Sequence, residues 1–170
     1  AVIEMPLPAE DAFRLARSQV RARMVPQDVA MIAIDDATLN ELGVALPTRK
    51  HESELIDRLV AAGVRKVVFD RAHADPETPE TDAQFAEALE RHKGKVWLGM
   101  SPEVDLYFQK VEAIVPQKMF RDHASMATMV GFSAPFNLSV VFPTEVELAG
   151  STYPSISAVL ADYEGPPARY

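Results

Sequence analysis

The chain has 170 residues, 48% of them hydrophobic and 25% charged, which is the profile of one folded globular domain and too short for two ordinary ones. A net charge of −8 excludes a surface that wraps nucleic acid or docks on anionic lipid through a basic patch. The absence of cysteine excludes disulfides, thiolate catalysis and cysteine-ligated metals, and leaves the compartment open.

No apolar run approaches the roughly 20 residues of a membrane span. The chain starts at Ala1 without an initiator Met or a signal-like segment, so it reads as a piece of a longer protein whose membrane segments lie elsewhere. Residues 1–28 form an N-terminal segment, a proline-bearing start followed by a helical pattern over 10–24. Phe13, Ala16, Val20 and Met24 share one face of it, with acids at its start and arginines towards its end. Arg14, Arg17, Arg21 and Arg23 read as a solvated face.

Residues 29–163 are the expected domain. Val29–Ile34 is an apolar run without alternation, which suits a strand of a parallel sheet covered on both faces. It stops at Asp35 and Asp36; Asp36 is placed to cap the following short helix and Gly43 to close it. A helix is expected over 48–62, with Leu55, Ile56, Leu59 and Val60 inward. A second strand, 66–70, ends on another carboxylate, Asp70. Residues 71–81 form a proline-punctuated loop, 82–91 a helix, and 95–100 a third strand. This alternation predicts an α/β domain with a central, mainly parallel sheet. Parallel strands would bring Asp35 and Asp70 to one sheet edge, where open α/β sheets bind ligands.

The second half is less regular. Short strands are expected at 111–115 and 129–133, a helix over 117–127, and antiparallel strands at 138–142 and 145–149. A turn at 150–152 leads to a closing helix over 153–163, and 164–170 reads as an exit linker.

With those residues in view the chain resembles the second type of CHASE domain, the sensory extracellular modules of cyclases and histidine kinases. Ile32-Ala-Ile-Asp-Asp-Ala-Thr-Leu-Asn-Glu-Leu-Gly43 is similar to that family's apolar run, paired aspartates, short helix and glycine. Leu46-Pro-Thr-Arg49 and Leu55-Ile-Asp-Arg-Leu59 resemble its proline–arginine turn and following helix. Val67-Val-Phe-Asp70, Asp82–Leu89, Val130-Gly-Phe132 and Tyr153–Ser157 resemble its later landmarks. The resemblance spans about residues 10–163. Three departures stand out: no Trp in Val44–Pro47, Arg71-Ala-His73 where the family continues apolar, and no Asp-Gly turn around Phe136–Leu138.

The resemblance implies a domain on the extracytoplasmic, periplasmic side of the cell membrane. It also implies flanking transmembrane helices and an intracellular cyclase or kinase output domain. We expect a homodimer that binds a small molecule or ion, with no enzyme activity, metal or cofactor of its own. The candidate ligand-binding residues are Asp35, Asp36, Arg49, Asp70 and His73. Asp35, Asp36 and Asp70 have the oxygen ligands a hard cation takes. Arg49 suits either an anion or an internal pair with Asp70. His73 and Asp75 stand where a ligand or general base would be, while His51, His92 and His123 show no metal-site spacing. No nucleophile elbow, P-loop or dinucleotide-binding glycine motif is present. Two alternatives stay open: a metal-dependent hydrolase built on Asp35, Asp36 and Asp70, and a non-binding dimerisation spacer.

Overall fold

Asp35 starts the first helix by accepting hydrogen bonds from the Thr38 amide (2.9 Å) and hydroxyl (2.7 Å), and these bonds hold its carboxyl below the usual range. Gly43, at φ +67°, ends that helix, α1 (Asp36–Leu42), in the left-handed conformation. The cap is therefore Asp35, not Asp36 as expected, because the carboxylate three residues before Thr38 is the one that reaches its amide. The computed structural model describes residues 16, 28–105, 110–129, 133–134, 138–139, 141–148, 150–165 and 168–169. The helix expected over 10–24 lies outside the described residues, apart from the helical Ala16.

The structure corrects the expected strand at 29–34. These residues pair with no strand and stand in solvent, Met31 being 92% exposed. Apolar patterning shows what a segment can bury but does not supply the partner.

Helix α2 (Arg49–Ala61) and strand β1 (Val67–Phe69) follow, each close to expectation. Helix α3 (Pro79–Arg91) starts three residues earlier than expected. Thr78 caps it, accepting from the Thr81 amide, and Pro79 is preset for the first helical position. Strand β2 (Val96–Asp105) is the centre of the sheet. Its first half pairs in parallel with β1 (Val67 opposite Val96, Phe69 opposite Leu98). Its second half pairs antiparallel with β3 (Lys110–Ile114). After one helical turn, α4 (Lys118–Arg121), strand β4 (Ser125–Thr128) pairs in parallel with the other side of β2. The helix expected over 117–127 is thus one turn and a strand: buried Phe120 anchors the turn, and the sheet edge takes the rest.

Ile56, Phe85 and Leu89 from α2 and α3 pack on Val67, Val96 and Leu98 to make the core on one sheet face, joined by Phe120. Burial of each such side chain contributes about 1.5–3 kcal/mol. Gly99 lies against the end of β1: a Cβ there would come 2.7 Å from the Phe69 carbonyl oxygen and 3.0 Å from the Arg71 nitrogen.

The C-terminal part adds short antiparallel pairs, as the α/β reading expects. Strands β5 (Ser133–Ala134) and β6 (Leu138–Ser139) pair with each other. Strand β7 (Val141–Phe142) comes next, then a hairpin of β8 (Glu145–Leu148) and β9 (Ser151–Pro154) turning at Gly150. The expected turn at 150–152 is therefore shorter, and the closing helix begins later, as α5 (Ile156–Ala161), capped by the Ser155 hydroxyl. In place of a free exit linker, β10 (Ala168–Arg169) pairs antiparallel with β7.

Candidate functional site

Arg49 opens α2, where the helix start points its guanidinium between α3 and the loop after β1. It is 1% exposed, with its guanidinium carbon 5.7 Å from the centre of the Phe85 ring and 5.5 Å from that of Phe120. One terminal nitrogen donates to Glu52 Oε2 (3.3 Å) and the other to the Asp75 carbonyl (3.0 Å). Nε faces Asp82 Oδ1 at 3.5 Å, an ion pair beyond a well-formed hydrogen bond; both atoms are buried without a hydrogen-bond partner. The Arg49 amide donates to Glu77 Oε2 (3.0 Å), and the Glu77 amide to Asp82 Oδ2 (3.2 Å).

Glu52, one turn on, gathers the remaining charge. Arg71 donates to its Oε1 (2.9 Å), and His73 Nε2 lies 3.1 Å from its Oε2. Burial by itself raises the Glu52 carboxyl. The His73 hydrogen bond and the charges of His73, Arg71 and Arg49 outweigh it and hold the carboxyl below its usual range. His73 is 2% exposed, stacks on Phe85 with ring centres 5.0 Å apart, and takes a left-handed backbone (φ +47°). Its Nδ1 lies 3.0 Å from the Arg71 carbonyl.

This network ties the 71–78 loop down. Arg49 and Gln117 both donate to the Asp75 carbonyl, and the Gln117 amide donates to that of His73. His73 is thus interior, contrary to the expectation of a loop residue open to ligand. Arg49 does make an internal pair, but with Glu52, Asp82 and Glu77 rather than Asp70. Neither Arg49 nor His73 presents surface to a ligand in this state. Asp35, Asp36 and Asp70 are exposed. Without a strand at 29–34, Asp35 and Asp70 do not end neighbouring strands. Among the described residues no group of three or more His, Asp or Glu is placed to hold a metal ion, so the carboxylate cluster of the hydrolase alternative is not assembled. Glu52, Arg71, Glu77 and Asp82 are members of this cluster that were not among the residues expected from sequence. Glu52 stands three residues from Arg49 on the same helix, whereas Glu77 and Asp82 reach Arg49 from elements far apart from it in sequence.

The opposite sheet face carries an open cleft of about 600 Å³ between β2 and the C-terminal hairpin and helix, lined by Lys66, Trp97, Thr144, Pro154, Val159 and Asp162 among others. Trp97 follows the strand alternation to this face, and its buried indole N–H has no acceptor. Lys66 bridges the cleft, donating to the Val159 carbonyl (2.8 Å) and pairing with Asp162. That hydrogen bond holds the Asp162 carboxyl below its usual range. No pattern within strand β2 marks which of its two faces is left open to the cleft.

Residues 6–162 match the family model described as the CHASE2 domain, and the chain belongs to that family. CHASE2 domains are extracytoplasmic sensory domains of signalling receptors and are not catalytic. No curated protein and no solved structure matches the chain. Among the described residues no helix is long and apolar enough to cross a membrane.

Proposed function

We propose that this domain is the ligand-responsive sensor of a bacterial transmembrane receptor, a cyclase or histidine kinase. It works as a homodimer on the periplasmic side and biases an intracellular output domain through flanking membrane helices. The family match over residues 6–162 carries this reading. The cleft beside Trp97 supports it: one wall belongs to the central sheet and the other to the segment 154–164 that leads towards the chain's end. A ligand there favours one arrangement of the two walls, and only such a difference in affinity can shift an equilibrium. Glu145 and Glu164 on the rim disfavour an anion, and the Trp97 ring supplies part of the wall. Asp35, Asp36 and Asp70 are further candidate contacts because they are exposed. Arg49 and His73 belong to the reading as residues that hold the loop beyond Asp70.

The test is the full-length receptor in membranes, with output activity measured for Trp97→Phe and Asp70→Asn. We expect Trp97→Phe to change the signalling response several-fold and Asp70→Asn to change it less. Responses identical to wild type in both variants would remove the ligand site while leaving the receptor class standing.

A further inference from the structure

Ten large apolar side chains stand exposed among the described residues, and six of them fall between Val29 and Leu46: Val29, Met31, Ile32, Ile34, Leu42 and Leu46. Helix α1 buries none of its residues. This concentration ends abruptly at Pro47, whose carbonyl accepts from Arg71 (3.4 Å), and at the buried Arg49. Residues 29–46 are thus an undocked arm hinged on a firmly held point.

The sheet has a matching vacancy. Strand β1 pairs with β2 on one side, and among the described residues nothing pairs with its other side. An open edge presents unpaired backbone N–H and C=O groups. The apolar run before Asp35 does not alternate, so it needs cover on both faces, which the interior of a parallel sheet provides. Pairing of two arms between copies would leave one apolar face in water. The chain from Asp36 to Lys66, with α2 already seated on the sheet, has the length and helical content of a parallel crossover.

We propose that residues 29–34 are a docking arm that adds to the free edge of β1 as a parallel strand. The register sets Ile32 beside Val67, Ala33 beside Val68 and Ile34 beside Phe69. Docking brings Asp35 and Asp70 to the same end of the sheet, so the rim inferred from sequence exists in one of two states. The arm joins the N-terminal segment to the sheet, and its docking alters how that segment is held. This inference stands on the fold and does not depend on the receptor reading.

Because the chain has no cysteine, disulfide trapping reads the arm's position without background. The double variant Ala33→Cys with Val68→Cys is oxidised in dilute solution and analysed by non-reducing electrophoresis and peptide mass mapping. Met31→Cys with Val68→Cys is the register control, two residues out and beyond the roughly 7 Å Cα separation a disulfide spans. We expect the 33–68 pair to close within one chain in most molecules and the 31–68 pair to lag at least tenfold. Disulfides only between chains would show that a second copy takes the edge, and free thiols in both variants would show that nothing docks; either result overturns the proposal. Should the double variants fail to fold, amide exchange of the wild-type chain decides. Protection of residues 32–34 by about a hundredfold or more supports docking, and exchange at unprotected rates overturns it.

Discussion

Replacing Arg49 by Ala tests whether the inward charge cluster holds the domain together. The guanidinium donates to Glu52 and to the Asp75 carbonyl and faces Asp82, all within 3.5 Å. Without it Glu52 keeps Arg71 and His73, but Asp82, 4% exposed, keeps only the Glu77 amide. The orphan is therefore Asp82. Removing one partner of a buried pair costs about 3–5 kcal/mol. At roughly 2–4 °C per kcal/mol for a chain of this size, the midpoint should fall by about 6–20 °C. Thermal unfolding followed by circular dichroism at pH 7 reads it directly. Adding Asp82→Asn should restore part of the loss by neutralising the orphan, whereas Arg49→Lys should fall in between, since an ammonium cannot fork to Glu52 and the Asp75 carbonyl together. A midpoint for Arg49→Ala within about 2 °C of wild type, or no recovery with Asp82→Asn, would refute the reasoning.

Three further outcomes follow from the same geometry. Glu52 has a folded-state pKa below its ordinary 4.5, so the unfolded chain takes up that proton first. Its contribution is complete above the ordinary value and lost as pH falls through the depressed one; acid titration of stability should be shallower in Glu52→Gln. Gly99→Ala should cost about 1–3 kcal/mol by urea unfolding, because its Cβ would meet the end of β1 rather than a flexible side chain alone. Asp57→Asn should cost less than about 1 kcal/mol: its bonds to Arg91 (2.9 Å) and His92 (2.7 Å) join α2 to α3 at the surface, and high salt should erase most of the difference in melting temperature.

The alternation of helices and strands from residue 49 to 100 was legible because each element carries its own signal. Ile56 and Leu59 recur at helical spacing, Gly43 and Gly63 stand past helix ends, and Val67–Phe69 and Val96–Leu98 are short apolar runs bounded by polar residues. Local chemistry also placed Thr78 and Pro79 at a helix start, although the expectation set that start at Asp82. Less could be read after residue 110. There Ser125–Thr128 has no strong preference, and the open side of β2 decided its conformation.

Amino-acid order alone determined the class of fold, the family and the presence of the helices at 49–61 and 79–91, since these follow from periodicity and motif order within short windows. Tertiary structure decided which charges are structural. Arg49, Glu52, His73 and Asp82 lie on three separate elements, and only their packing reveals that Arg49 turns away from Asp70 and that His73 is enclosed. It also decided which apolar surface is covered. A run such as 29–34 states the need for a partner, but whether one is seated depends on the free energy of docking against a distant edge, which no local pattern contains.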